Sequence, residues 1–254
     1  LHMLETRLTA RDRQLVYDRD LAGPDGKPDP VAFRAKLALP RRMMDEAQEA
    51  WLASSLKASV AAGRPWQVLG NEVLMARIPV PSFSKTLGEA ELAKAMATLP
   101  QSGRNRIARM DQVAELGLPY GLDMWDGYPQ ARQRLYEILK EAGAHTVVVS
   151  GDSHAFWANE LYDQPEGGSR VAVEFGGTGI TSPGAGDALP GIPVGEVMAR
   201  SAREVVWSDQ AAKGFVRLTL THTEARGDMM AVSTILEPTY ETRTLKSFVV
   251  RPEP

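Results

Sequence analysis

Residues 147–161 read VVVSGDSHAFWANEL, and their pattern decides the fold. Three β-branched residues in a row run into Ser150 and Gly151, so a buried strand ends where a turn begins. Continuous apolar character, rather than alternation, marks a strand covered on both faces. Immediately upstream, YPQARQRLYEILKEAG (128–143) carries Pro129 at a first-turn position and Gly143 as the stop. Its apolar stripe is Ala131, Leu135, Ile138, Leu139 and Ala142. A helix followed by a continuous strand predicts an α/β layered fold.

Asp152 and His154 follow that strand directly, and in open α/β sheets ligands gather at the carboxyl ends of the strands. In a locally extended backbone, residues two apart point to the same side. Both side chains are then expected to face one pocket. A hard carboxylate oxygen beside an imidazole nitrogen is the donor mixture of metal-dependent hydrolases, where two ions sit about 3.5–4 Å apart. A structural reading stays open: Asp152 caps backbone N–H groups in a turn, and His154 is an ordinary part-buried histidine. A third reading takes Ser153 as a nucleophile, because GDS also opens the GDSL serine esterases. Against it, His222 is the later histidine and has no aspartate three positions before it. A hydroxyl without a base and an orienting carboxylate is a weak nucleophile.

The rest of the chain bounds these readings. It has 254 residues, 24% charged and 43% hydrophobic, with a formal charge of −3. Such a balance gives no field that would make nucleic acid the main partner. No apolar run approaches the ~18 residues of a membrane span. The absence of cysteine removes disulfides, thiolate nucleophiles and cysteine metal ligands. LHMLETRLTA (1–10) has no signal-peptide pattern and reads as the second half of a strand, with Met3 and Leu4 apolar and Thr6 β-branched. Because domain termini normally lie at the surface, this start is expected to belong to a longer protein.

RDRQLVYDRDLAGPDGKPDP (11–30) reads as a polar loop. A helix is expected near 45–62, opened by a capping box of Asp45 and Gln48 and stopped by Gly63, with Trp51, Leu52, Leu56 and Val60 on its apolar face. PWQVLGNEVLMARIPV (65–80) gives a strand, a polar break at Gly70 to Glu72 and a second apolar run. A short helix is expected over Glu89–Ala97, then a loop rich in Gly, Arg and Pro up to residue 120. RVAVEF, KGFVRLTLTH and DMMAVSTIL read as strands, with TEARGD (223–228) as a hairpin turn, so the carboxyl-terminal third looks antiparallel and all-β.

Several blocks together carry a resemblance. MLETR (3–7), QEAWL (48–52), PWQVLGNEV (65–73), DMWDGYPQARQRL (123–135), VVVSGDSHAFWANEL, FGGTGITSPG (175–184) and KGFVRLTLTH (213–222) keep their order along the chain. In this order they resemble the PhoD-type alkaline phosphatases and phosphodiesterases, a branch of the metallophosphatase superfamily. The resemblance implies part of a calcineurin-like αββα sandwich with an antiparallel β-rich C-terminal third. It implies that Asp152 and His154 are catalytic metal ligands in a dinuclear or multinuclear site, described as iron with calcium, with other divalent metals possible. The implied chemistry is attack of a metal-activated water on a phosphate ester. Export to the periplasm or beyond, through a twin-arginine signal outside these residues, is implied as well.

The departures from the family pattern are informative. A cysteine, a Gly-Asp-x-x-Tyr block and an Asp-Asp-His-Asp block supply most of the family's ligands, and none occurs here. Residues 1–254 therefore read as the C-terminal portion of a single PhoD-like domain whose N-terminal segment is a missing partner. With two ligands, the chain alone is expected to bind metal weakly and to be inactive. A non-catalytic module that retains the fold is the remaining alternative. Around the ligand pair, Asn71 at a strand end, Trp125 and Asp126 before the helix of Pro129, Trp157 and Asn159 after the pair, and Ser182 in GITSPG are candidates to bind substrate or support the site. Tyr128 belongs to the same WDGY block, and Asp126 equally suits a helix start. His2, His145 and His222 read as structural or exposed.

Overall fold

A computed structural model of the chain describes residues 1–252. Six strands, β1 (His2–Met3), β2 (Gln67–Gly70), β3 (Thr146–Ser150), β4 (Phe156–Tyr162), β5 (Arg170–Gly176) and β6 (Val205–Asp209), form one sheet in the order β1-β2-β3-β5-β4-β6. Pairing is parallel from β1 through β2 and β3 to β5, whereas β4 runs antiparallel to both β5 and β6. A second, antiparallel sheet follows: β7 (Gly214–Leu220), β8 (Ala225–Val232) and β9 (Thr242–Val250). The helices are α1 (Tyr17–Asp20), α2 (Pro30–Leu37), α3 (Glu46–Ala61), α4 (Phe83–Leu87), α5 (Glu89–Met96), α6 (Gln101–Ala114), α7 (Pro129–Ala142), α8 (Ala185–Ala188) and α9 (Val194–Ser201).

The alternation of side chains along each strand divides the core in two. Val148 of β3 and Trp157 and Leu161 of β4 face a cluster containing Leu52 and Leu56 of α3 and Leu135 and Leu139 of α7. Their neighbours Val147, Phe156, Ala158, Val173 and Phe175 face the opposite way, onto Ala225 and Met229 of β8. Helices thus cover one face of the large sheet and the small sheet covers the other. This burial on both faces is why VVV shows no polar alternation.

The predicted helices over 45–62 and 129–142 form. Asp45 accepts from the Gln48 N–H at 2.7 Å, and Gly143 ends α7 in the left-handed region at φ 62°. The capping box itself is half made: the Gln48 side chain turns away to the Glu5 backbone, donating to its carbonyl at 2.9 Å and accepting from its N–H at 2.8 Å. Trp51 is exposed, because α3 needs only a narrow buried stripe.

Five local expectations are corrected. The carboxyl-terminal third is not all-β and antiparallel: β5 pairs parallel with β3, and α8 and α9 lie between β5 and β6. QSGRNRIARMDQVA forms helix α6, where the sequence reads as a loop. Gly103 and Ile107 are buried there, and a β-carbon added to Gly103 would come to ordinary contact distance from Leu99 and the Ala188 carbonyl. The loop 11–30 contains α1, and Leu21 packs with Phe33, Leu118 and Leu122 in a small satellite core. The hairpin turn is Thr221–Glu224, closed by the Thr221 N–H on the Glu224 carbonyl at 2.9 Å. Ala225–Asp228 already belong to β8, and its partner β9, which the sequence reading did not pick out, packs Leu245, Phe248 and Val250 onto the core. At the amino terminus only residues 2–3 pair, Met3 is exposed, and Thr6 is buried in a loop.

The second apolar run is buried without being a strand. Met75 and Ala76 donate to Glu174 at 2.8 and 3.1 Å, Arg77 to Glu204 at 2.5 Å and Ile78 to Asp126 at 2.7 Å. Buried backbone N–H groups require acceptors, and here three buried carboxylates replace a neighbouring strand. No helix among the described residues is long and apolar enough to cross a membrane.

Candidate active site

The GDSH turn opens as β3 leaves the sheet. Its backbone is not extended: Asp152 and His154 both adopt left-handed conformations, at φ 65° and 57°. The expectation that an extended chain aims both side chains one way is therefore wrong in its mechanism. Asp and His are among the non-glycine residues most often found in this region, and such conformations cost ~1–3 kcal/mol each unless the surroundings hold them. Here they do. Ser153 N–H bonds to the Gly151 carbonyl at 2.8 Å, and Trp157 Nε1–H donates to Ser153 Oγ at 2.9 Å.

Both residues nevertheless line one cleft of about 640 Å³, with Asp123, Arg106, Trp157 and Gln210 among its walls. His154 Nδ1 lies 2.9 Å from the Pro183 carbonyl. A carbonyl only accepts, so Nδ1 carries the proton of this bond and Nε2 is the ring nitrogen left for a ligand. That is the arrangement of a histidine oriented to ligate a metal. Pro183 is itself positioned: the adjoining Gly184 N–H donates to Asp187 at 2.6 Å, and Lys213 pairs with the same carboxylate at 2.7 Å. Lys213 and the Gly184 N–H together hold Asp187 below the usual carboxylate range. A β-carbon on Gly184 would lie 2.6 Å from the His154 carbonyl oxygen, so the approach of the two segments needs glycine.

Asp152 faces a cation. Arg7 Nη2 donates to its Oδ2 at 2.5 Å and lies 3.6 Å from Asp123 Oδ2. The donor chemistry of Asp152 and His154 suits a hard or borderline ion, yet the set is short. Among the described residues no three His, Cys, Asp or Glu side chains converge to hold one.

The other sequence candidates divide sharply. Trp157 lines the cleft. Trp125 is fully buried and donates through Nε1 to Asn71 Oδ1 at 3.2 Å, while Asn71 Nδ2 donates to the Val73 carbonyl. Asp126 is buried in an ion pair with Arg132 at 2.6 Å. Asn159 donates to Glu174 at 2.8 Å under the sheet. Asn71, Trp125, Asp126 and Asn159 make their hydrogen bonds inside the protein and are not among the residues lining the cleft, and Ser182 is half-buried in a loop outside that lining. Tyr128 sits between the guanidiniums of Arg11 and Arg41, 4.9 and 4.8 Å from its ring. Ser153 Oγ meets the Trp157 indole and, at 3.5 Å, the Ala155 carbonyl, not a histidine. That disfavours the serine esterase. His2 is buried on Ser55 Oγ at 3.0 Å, His145 packs on Trp66, and His222 is exposed.

Arg7, Asp123, Asp187 and Lys213 escape sequence reading, since a lone charged residue carries no periodic signal. Arg7 and Asp123 do fall inside the blocks MLETR and DMWDGYP.

Alkaline phosphatase D of Bacillus subtilis (strain 168) is 27% identical over 212 residues, which is 82% of this chain and 30% of the relative. A solved structure described as that of PhoD superposes with a TM-score of 0.64 at 22% identity, covering 98% of this chain and 39% of the other. The chain thus spans between three-tenths and two-fifths of the length of the proteins it matches. The family model described as PhoD-like phosphatase matches residues 1–229, and the chain belongs to that family.

Proposed function

We propose that the protein hydrolyses phosphate esters by metal-dependent chemistry, with Asp152 and His154 as two of the metal ligands. The observation that carries this reading is the hydrogen bond from His154 Nδ1 to Pro183, which leaves Nε2 as a ligand in the cleft that Asp152 also lines. Iron with calcium, or another divalent pair, suits these donors. When bound, such ions supply Lewis-acid stabilisation of phosphoryl oxygens and a water acidified toward neutral pH. The chain's own residues do the positioning. Asp152 and His154 hold from one turn, Trp157 fixes that turn through Ser153, and the Asp187–Lys213 pair fixes Pro183.

A tightly held catalytic ion takes about three protein ligands. The remaining ligands are supplied by sequence outside residues 1–254, with which these residues form a single domain. In that reading the six-stranded sheet and the small sheet are half of an αββα sandwich, and the whole protein is exported. Trp157 supports the ligand turn, and Asn71, Trp125, Asp126 and Asn159 hold the scaffold beneath it.

The test compares residues 1–254 with the longer protein. The shorter chain is expected to bind calcium, zinc or iron weakly in calorimetric titration and to leave p-nitrophenyl phosphate and its bis-ester intact. The longer protein is expected to cleave at least one of them and to lose activity to chelators, to Asp152→Asn and to His154→Ala. Chelator-resistant activity, or full activity in both variants, would overturn the proposal.

A further inference from the structure

The interaction of Arg7 with the candidate metal ligand is built with more care than a surface ion pair needs. Glu5 accepts from the N–H groups of Arg7, Leu8 and Thr9 at 2.7, 2.5 and 2.9 Å, and from the Thr9 hydroxyl. Gln48 clamps the Glu5 backbone from both sides. Thr6 donates to Glu72 through its N–H at 2.8 Å and its hydroxyl at 2.7 Å. The residues on each side of Arg7 are thereby fixed to α3 and to the end of β2. An exposed ion pair contributes little to stability, so stabilisation is a poor reason for such a platform.

The guanidinium is also incompletely used. One nitrogen, Nη2, makes both contacts, to Asp152 and Asp123. Nε and Nη1 have no hydrogen-bond partner among the described residues, although the side chain is about one-third exposed beside Asp152 and Asp123, which line the cleft. Arginine carries five N–H donors in a planar fork that matches phosphate oxygens. A cation on Asp152 and the guanidinium on the same carboxylate repel one another. A phosphoryl group between them satisfies both.

We propose that Arg7 binds the phosphoryl oxygens of the substrate, aimed by Asp152 and Asp123 and held by the Glu5-centred loop. This rests on the reading of Asp152 and His154 as metal ligands. The test uses residues 1–254 with Mn²⁺ at about millimolar concentration, where a two-ligand site fills, and inorganic phosphate as the probe. Mn²⁺ binding is followed by electron paramagnetic resonance, and phosphate binding by ³¹P relaxation. Arg7→Gln is expected to weaken phosphate about tenfold or more while Mn²⁺ affinity changes less than about threefold. Arg7→Lys keeps the charge without the fork and is expected to lose about threefold. It carries the test if Arg7→Gln does not fold. Wild-type phosphate affinity in either folded variant overturns the inference. If Asp152→Asn and His154→Ala leave Mn²⁺ binding intact, or the wild-type chain binds none, the metal-site reading fails first.

Discussion

His154 Nδ1 donates to the Pro183 carbonyl across 29 residues of sequence, at 2.9 Å, and this bond determines which imidazole nitrogen faces the cleft. Removing His154 therefore removes the proposed ligand together with the bond that orients it. In the longer protein, His154→Ala and Asp152→Asn are each expected to lower phosphoesterase turnover by roughly a hundredfold or more, with little change in melting temperature. Activity assays beside thermal melts check this. Loss of fold in step with loss of activity would assign both residues to structure.

Gly184 tests the same bond from the other side. A methyl group there meets the His154 and Gln210 carbonyl oxygens at 2.6 and 3.2 Å, and backbone atoms cannot swing aside. Gly184→Ala is expected to displace Pro183, weaken Mn²⁺ binding about tenfold and cost ~1–3 kcal/mol of stability. Spin-resonance titration and urea denaturation separate the two effects. Unchanged Mn²⁺ affinity in the variant would show that the Pro183 contact does not govern the ligand.

Asp126 and Arg132 form a buried ion pair that also satisfies the Ile78 N–H. Asp126→Ala leaves both the guanidinium and the N–H uncompensated, and is expected to cost about 3–5 kcal/mol. Denaturant midpoints measure it. A loss below ~1 kcal/mol would mean that water reaches the pair.

The Glu5 loop predicts a pH dependence. Hydrogen bonds from the Thr9 hydroxyl and the Leu8 N–H, with those of Arg7 and Thr9, lower its pKa from 4.5 to about 2. A folded-state pKa below the unfolded one adds stability that is present above pH 4.5 and fades as pH falls toward 2. Glu5→Gln keeps an acceptor oxygen but cannot titrate. The stability difference between wild type and Glu5→Gln is expected to be constant above pH 4.5 and to shrink in that acid window. A flat difference down to pH 2 would contradict the loop geometry.

How far the sequence reaches differs from element to element. The α7–β3 unit is legible because its signals are local: proline at the start, glycine at the stop, an apolar stripe, then continuous valine. Helix α6 is not, since QSGRNRIARMDQVA has few apolar residues, and its helical state is sustained by burying Ile107 and Gly103 against neighbours. Strand β9 mixes charged and apolar residues in TRTLKSFVV, and its register comes from pairing with β8. In the site, Asp152 and His154 stand out by their place after a buried strand. Asn71 draws attention for the same reason, and Trp125, Asp126 and Asn159 for their places in the same or a neighbouring block, yet each makes hydrogen bonds inside the protein and none lines the cleft.

By itself the sequence determined the layered α/β class, the main helix limits and the turn that carries the carboxylate and the imidazole. All of these follow from short-range pattern and backbone preference. Only the tertiary structure decided that this turn is left-handed at two side-chain-bearing residues, that Arg7 reaches Asp152, and that carboxylates replace a strand beside Met75–Ile78. Those features depend on groups far apart in the chain, which the sequence alone does not pair.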